Sequence, residues 1–522
     1  MTDPKAESLE DDAQKIGRGA LYLTGTKLWF MVSGYIIYFG LPRILGSGEE
    51  GKALFGKYQV AIFLASIANA LAVQGTTQAI ARFVGRGKVG GIRAAAIRLQ
   101  TMLGGGAFLL LFFSAPYIAE HVYDDTSLTR PLQCSAFITL FYAFYGIYMG
   151  YLNGSREFAK QALVDFSFST LKVIGVLCGA FFLKNALDPV SGPIVGWAGA
   201  ALVVLVMGRV LCGPAKAGDD VSVKELFNFQ IFTMLVAGAA TAVAKTDLQV
   251  VKIGLAKFHD MPSAQVDAIA GEYSAAQVFA TIPYQLVFAI TFILFPLVTA
   301  ASDNDREKLK GYVVQTTRYA AMIAGAIVPL FVACPERTLM VLFPPEFADG
   351  APALRFLALG YFCYSVFFIM VSIITASGRP GVSFLLVAIT FALQIACGAP
   401  LVAAMGANGA ALGTMIAMFI GLLVANRFAT KNFGQGVVCS VMIKIAVCGA
   451  IVGGVAHVLL ARATLWGGHG VLANIGGTGI VSKLLTAGGF SALGVIYIFV
   501  LVKTKIFDDE DMQRFRKVLK RG

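Results

Sequence analysis

Four polar side chains recur at helical spacing inside one long apolar run, residues 161–183. They are Gln161, Asp165, Ser169 and Lys172, spaced by four, four and three residues, so all four lie on one face of a helix. An ammonium group at the centre of a membrane costs about 2.5–3.5 kcal/mol unless it faces water or a partner. The stripe therefore indicates either the wall of a wet site for an anionic substrate or a structural polar contact with a neighbouring helix. Asp165 and Lys172 are about 10 Å apart along the axis, so they are too distant to pair directly.

Three further ionisable residues fall inside apolar runs: Lys27, Lys245 and Asp247. Lys27 shares a helix face with Tyr35 and Tyr38, and it lies two turns from the predicted cytoplasmic end of its run. It can therefore snorkel to that end or face the site, and the sequence leaves both open. Lys245 and Asp247 are about 200° apart around a continuous helix. Only one of them can face any given direction, and the sequence does not decide which.

The charge inside the apolar runs is mainly cationic, and it is accompanied by aromatic residues. Such a site suits a phosphate-bearing anion, whose sugar rings would stack on tyrosines. The predicted substrate-binding residues are Lys27, Lys172, Lys245, Asp165, Tyr35 and Tyr38, and the predicted coupling residue is Asp247.

Signals of catalysis and of cofactor binding are weak in this sequence. The four histidines are scattered without metal-ligand spacing, and the eight cysteines lie mostly inside apolar runs without paired spacing. The longest loop predicted on the non-cytoplasmic side, residues 252–271, has only about twenty residues, which argues against a glycan polymerase or ligase. We therefore expect no metal, no cofactor and no enzymatic activity.

The composition indicates what positions these residues. Of the 522 residues, 57% are hydrophobic and 14% are charged, whereas a soluble chain carries about 25% charged residues. The predicted fold is all-α, a polytopic membrane protein with about fourteen transmembrane helices. The predicted spans are approximately 20–41, 55–81, 97–119, 131–153, 161–183, 192–212, 228–251, 272–300, 312–334, 351–376, 383–404, 409–429, 437–461 and 480–502.

The distribution of Lys and Arg predicts the orientation. The net charge of +12 comes mainly from loops on one side, such as residues 82–98 and 306–318, and from the end of the chain. Cytoplasmic loops are the ones that carry this excess. We therefore expect no nucleic-acid partner, a bacterial inner-membrane location and two cytoplasmic tails, residues 1–19 and 503–522. The charged stretch Asp508–Arg521 is predicted to form a short surface helix.

An internal repeat divides the predicted spans. The segment 56–67 (GKYQVAIFLASI) and the segment 271–282 (GEYSAAQVFATI) share five of twelve residues at an offset of 215. Gly-Ala-Ala at 199–201 recurs at 409–411, and the short loops with Arg156 and Arg379 are 223 residues apart. These ordered matches predict two six-helix lobes, 20–212 and 222–430, in a pseudo-twofold relation about an axis along the membrane normal, with two extra helices over 437–502.

Several segments resemble the polysaccharide flippase family, the exporters of lipid-linked O-antigen and exopolysaccharide units within the multidrug/oligosaccharidyl-lipid/polysaccharide superfamily. The resemblance covers about 16–430 and rests on residues 45–46, 54–58, 246–248, 253–254, 271–276, 347–354, 375–379 and 406–411. Pro344-Pro345 departs from the family, which commonly has Gly after the Phe. The lipid II flippase branch typically has an Arg-rich first span, where this chain has only Lys27.

The resemblance implies a flippase that moves undecaprenyl-diphosphate-linked oligosaccharide from the cytoplasmic to the periplasmic leaflet by alternating access. It also implies lipid-linked glycan and membrane lipids as partners, with a polysaccharide polymerase and glycosyltransferases as further candidates. Asp247 matches the family's acid in the seventh span, with a role in proton coupling or in helix packing. The alternatives are a cation-coupled multidrug antiporter of the same superfamily and a non-transporting membrane scaffold of an envelope-assembly complex.

Overall fold

The computed structural model describes residues 4–215, 221–288, 298, 306–461, 480–504 and 506, and helices form most of this part of the chain. Up to residue 280 the helices are α1 (Pro4–Leu45), α2 (Gly48–Asn69), α3 (Gly75–Gly85), α4 (Ile92–Tyr117), α5 (Thr129–Gly154), α6 (Phe158–Phe182), α7 (Ser191–Cys212), α8 (Val223–Val243), α9 (Thr246–Phe258) and α10 (Ser263–Ala280). The later helices are α11 (Arg306–Ala333), α12 (Pro335–Leu342), α13 (Ala351–Ala376), α14 (Pro380–Met405), α15 (Ala407–Phe433), α16 (Cys439–Ala456) and α17 (Ile480–Lys503).

The described residues contain 13 helices that are long and apolar enough to cross a membrane. Each corresponds to one of the predicted spans, and the prediction of a polytopic all-α membrane protein is confirmed. The remaining predicted span, 272–300, begins in α10 and continues through helical residues 282–288 before it leaves the described part of the chain. The predicted surface helix Asp508–Arg521 lies outside the described residues, whereas the predicted N-terminal tail is helical from Pro4.

Two spans differ in shape from their predictions. Helices α2 and α3 form one span of 38 residues, Gly48–Gly85, joined by a π-helical turn over Ala70–Gln74. The prediction of one continuous helix over 228–251 is wrong, because α8 ends at Val243 and α9 begins at Thr246 after a turn at Ala244 and Lys245.

The chain forms two compact units. Unit 1 contains Met1–Lys245 and Asp260–Gly271, and unit 2 contains Thr246–His259 and Glu272–Gly522. Helix α8 belongs to unit 1, where Leu226 is buried with Ile80 of α3 and Leu99 of α4. The two lobes, 20–212 and 222–430, were predicted from sequence similarity between the two halves of the chain. They are not defined by packing, and they stay a prediction.

Small residues allow close helix packing in unit 1. A Cβ on Gly175 of α6 would clash with the backbone of Gly196 in α7, and a Cβ on Gly179 would clash with Gly192. Glycines four residues apart on both helices let the two backbones approach closely. Helix α1 packs on the same helix α6, so α6 contacts both α1 and α7.

A buried ion cluster lies near the start of α2. Lys57 Nζ lies 3.4 Å from Asp125 Oδ2 and 3.4 Å from Asp267 Oδ2, and it donates to Ser127 Oγ at 2.6 Å. The two carboxylate side chains are only 5% and 0% exposed, and that of Lys57 is 20% exposed. Lys57 therefore contacts two buried carboxylates, which ties α2 to the loop before α5 and to the first turns of α10.

Unit 2 uses similar packing around α14 and α15. The backbone of Leu401 in α14 lies against Gly409 of α15, so a Cβ at residue 409 would clash with it. Helix α9 packs on α14, where Gly254 faces Val402. His259, just beyond α9, has its Nε2 2.9 Å from the carbonyl oxygen of Val402.

Candidate functional site

An ion pair joins α1 to α6 inside unit 1. Lys27 Nζ lies 3.5 Å from Asp165 Oδ2, and the side chains are 58% and 15% exposed. Tyr145 of α5 donates its hydroxyl proton to the other carboxylate oxygen, Asp165 Oδ1, at 2.7 Å. Asp165 is therefore held by a third helix on the side away from Lys27.

Lys172 lies two turns further along α6 and contacts aromatic rings. Its Nζ is 3.8 Å from the ring centroid of Trp197 in α7 and 5.9 Å from that of Phe30 in α1. The Trp197 indole donates to the Tyr142 hydroxyl at 3.2 Å, which fixes the ring beneath the ammonium. The face of an indole ring attracts a cation electrostatically. Lys172 thus contacts the faces of aromatic rings, while Asp165 pairs with Lys27, as the predicted 10 Å separation requires.

The other two members of the polar stripe make structural contacts. Gln161 is buried and accepts a hydrogen bond from Asn153 Nδ2 at 3.0 Å. Ser169 is buried and donates to the backbone carbonyl of Asp165 within its own helix at 2.9 Å. Of the two interpretations of the stripe, the structural polar contact with a neighbouring helix therefore describes Gln161, whereas the hydrogen bond of Ser169 is within α6.

A turn between α8 and α9 separates Lys245 from Asp247. The two residues are therefore not related by the 200° rotation that a continuous helix would give them. Lys245 lies in the turn, is partly exposed, and is close enough to Lys172 for the two positive charges to repel each other. Asp247 lies in the first turn of α9 and is 1% exposed. Its carboxylate accepts from the Tyr273 hydroxyl at 2.9 Å and from Gln277 Nε2 at 2.6 Å. Lys245 belongs to unit 1 and Asp247 to unit 2.

The two candidate tyrosines of α1 lie beyond Lys27 along the helix. Tyr35 and Tyr38 are partly exposed, with ring centroids 6.4 Å apart and ring planes at 59°. The Tyr35 hydroxyl oxygen is buried and has no hydrogen-bond partner among the described residues. Tyr35 is eight residues after Lys27, about 12 Å along the axis, so a ligand that contacts both must be elongated.

The sequence did not reveal Tyr145 and Trp197, which hold Asp165 and Lys172. One signal was present: α5 carries Tyr142, Tyr145, Tyr148 and Tyr151 at intervals of three residues. Such spacing gives a tyrosine-rich helix face beside the polar stripe of α6. In the described part of the chain, no group of three His, Cys, Asp or Glu residues is placed to hold a metal ion.

Comparison with solved structures identifies the fold. The lipid II flippase MurJ in an inward closed conformation gives a TM-score of 0.68 at 14% identity, covering 94% of this chain and 99% of that chain. An inward-facing multidrug resistance transporter of the MATE family gives 0.61 at 16% identity, covering 78% of this chain and 94% of that chain. At these identities the likeness shows that this chain shares their fold.

Comparison with other sequences identifies the family. An uncharacterised membrane protein of Methanocaldococcus jannaschii is 22% identical over 412 residues, which cover 73% of this chain and 78% of that protein. The model of the family described as polysaccharide biosynthesis protein matches residues 16–302, more than half of the 522 residues. The match confirms the resemblance seen in the sequence, and the chain belongs to the polysaccharide biosynthesis protein family.

Proposed function

We propose that this multi-pass membrane protein is a flippase for polyprenyl-diphosphate-linked oligosaccharide, moving it from the cytoplasmic to the periplasmic leaflet for surface polysaccharide synthesis. Lys27 and Lys172 carry the proposal, since α1 and α6 each present an amine, and rings of α1 and α7 lie beside that of Lys172. Family membership and the superfamily fold support it.

In this proposal the lysines bind the diphosphate. Lys27, Lys172 and Lys245 present ammonium groups, and two of them, Lys172 and Lys245, already repel each other. An anion between two such cations removes this repulsion, and the low dielectric of the surroundings strengthens its attraction to each. Tyr35 and Tyr38 would offer ring faces and hydroxyl groups to the sugars.

Asp247 is the proposed coupling residue. It is a buried acid that accepts hydrogen bonds from Tyr273 and Gln277. A carboxyl group in such surroundings can exchange a proton during the transport cycle, because its charged form is compensated by hydrogen bonds that can rearrange.

We further propose that the protein lies in the bacterial inner membrane with both termini in the cytoplasm. Its substrate would come from glycosyltransferases on the cytoplasmic face and pass to a polymerase on the other face. These enzymes are therefore its proposed partners.

The test is a flipping assay in proteoliposomes that contain the full chain and a radiolabelled polyprenyl-diphosphate oligosaccharide. The expected result is that glycan becomes accessible to an added glycosidase on the opposite leaflet, with empty liposomes as the control. Export of ethidium in place of the glycan would instead support the cation-coupled multidrug antiporter. Transport of neither compound by folded protein would support the non-transporting scaffold.

A further inference from the structure

The two cations of α1 and α6 are held in different ways. Lys172 contacts two aromatic rings and, within the described part of the chain, makes no ion pair. Lys27 instead faces a carboxylate, that of Asp165. An acid at this position is unexpected in a site for an anionic substrate, because it repels the ligand that the lysines attract. The acid therefore needs an explanation of its own.

Asp165 is fixed on one side and loosely paired on the other. Tyr145 donates to Oδ1 at 2.7 Å, a full hydrogen bond. Oδ2 is buried and has no hydrogen-bond partner among the described residues, and its distance to Lys27 Nζ is 3.5 Å. A charge-assisted hydrogen bond is shorter, about 2.7–2.9 Å. Lys27 is thus held by charge alone.

The two partners also differ in exposure. The Lys27 side chain is 58% exposed, whereas that of Asp165 is 15% exposed. Lys27 is therefore the member of the pair that can move, while Asp165 stays in place on α6 against α5. Exposed ion pairs are weak, so a multiply charged anion can replace the carboxylate as the partner of Lys27.

We propose that Asp165 is a displaceable counter-ion of Lys27. It pairs with Lys27 and positions it while the site is empty. The substrate diphosphate replaces Asp165 as the partner of Lys27, and Asp165 pairs with Lys27 again when the substrate is released. This inference rests on the proposed function and gives Asp165 a different role from the substrate binding predicted from the sequence. Asp165 competes with the diphosphate for Lys27, so it lowers affinity and speeds release. Lys172 contacts the anion without competition from Asp165, whereas Lys27 contacts it only when Asp165 is displaced. Lys172 is therefore called the permanent contact.

The test measures binding of geranyl diphosphate to the purified full chain in lipid nanodiscs by calorimetry. Asp165→Asn keeps the shape and the acceptor for Tyr145 but removes the competing charge, so the Kd is expected to fall by about fivefold. Lys27→Gln is expected to weaken binding, and Lys27→Gln/Asp165→Asn to match Lys27→Gln alone. Glu157→Gln is the matched control, because it removes the carboxylate of another ion pair, with Lys160 at the start of α6, and is expected to leave binding unchanged.

A purely structural Asp165 would give a different pattern. Unchanged or weaker binding by Asp165→Asn, with the wild type still binding, would overturn the inference and leave the proposed function standing. Tightening that persists in the Lys27→Gln background would also overturn it, because the effect would not then act through Lys27. Asp165→Ala, which also loses the Tyr145 hydrogen bond, must tighten binding in the same direction. Absence of any binding by wild-type protein would overturn the proposed function and this inference together.

Transport supplies a second readout. If release needs Asp165 to recapture Lys27, Asp165→Asn lowers both the KM and the turnover number for the lipid-linked glycan. A lower turnover at unchanged KM would indicate a structural defect and overturn the inference.

Discussion

Gly56 of α2 and Gly271 of α10 lie against each other, and their contacts are reciprocal. A Cβ on Gly56 would clash with the carbonyl oxygen of Asp267 and lie 2.7 Å from the amide nitrogen of Gly271. A Cβ on Gly271 would clash with the carbonyl oxygen of Lys52 and lie 3.4 Å from the amide nitrogen of Gly56. Each residue of one helix is 215 positions from its counterpart in the other, the offset of the repeat. Each glycine therefore contacts the residue four positions before the other glycine.

The first prediction concerns this crossing. Gly56→Ala is expected to lower the free energy of unfolding by about 1–3 kcal/mol, because the added methyl group meets backbone atoms that cannot rotate away. Thermal unfolding of the purified protein measures the change. Gly106→Ala in α4 is the control, since a Cβ there meets nothing within 4 Å. Equal melting temperatures for the two variants would show that the crossing is not tight.

The second prediction concerns the buried ion cluster. Lys57→Met removes the cation shared by Asp125 and Asp267, and is expected to destabilise the protein by about 3 kcal/mol. Lys88→Met is the matched control, because its pair with Glu225 has both side chains about half exposed and should change stability little. Lys57→Met/Asp267→Asn should regain part of the loss. No recovery in the double variant would contradict the role of the buried charge.

The sequence predicted the spans well because each must be a long apolar run, whatever it packs against. It could not predict the turn at Ala244 and Lys245, since Ala-rich sequence without Pro or Gly reads as continuous helix. The π-helical turn at Ala70–Gln74 was also missed, although Gly75 directly follows it.

The candidate site was predicted only in its components. Helical spacing placed Asp165 and Lys172 on one face correctly. The pair between Lys27 and Asp165 joins residues 138 positions apart, and no local pattern encodes which helix packs beside which. The same holds for Trp197, whose ring lies beneath Lys172 only because glycines bring α6 and α7 together.

The third prediction tests the coupling role of Asp247. Asp247→Asn retains acceptor capacity for Tyr273 but cannot exchange a proton. Flipping in proteoliposomes should therefore lose its response to an imposed proton gradient. Tyr273→Phe is the control, because it removes one hydrogen bond and keeps the acid. A gradient response that survives in Asp247→Asn would assign this residue to packing.

The fourth prediction tests the orientation in the membrane. Ser263→Cys, at the exposed start of α10, should react with a membrane-impermeant maleimide from the periplasm in a variant without its native cysteines. Lys88→Cys, in the loop between α3 and α4, should react only after the inner membrane is permeabilised. The reverse pattern would place the termini in the periplasm.

The last prediction concerns Lys172, the proposed permanent contact of the diphosphate. Its Nζ lies 3.8 Å from the Trp197 ring centroid, and the structure shows no ion pair for it among the described residues. Lys172→Ala should reduce glycan flipping by about tenfold or more, the value of a lost hydrogen bond to a charged group. Lys172→Arg should retain part of the activity, because the charge survives although the geometry changes.

Lys160→Ala is the control: it removes an exposed lysine of the same helix, paired with Glu157, and should flip normally. Surface glycan in a deletion strain that carries each variant, divided by the amount of inserted protein, gives the measurement. Full export by Lys172→Ala at a normal protein level would refute this role, and Lys245, which lies close enough to repel Lys172, would become the next residue to test.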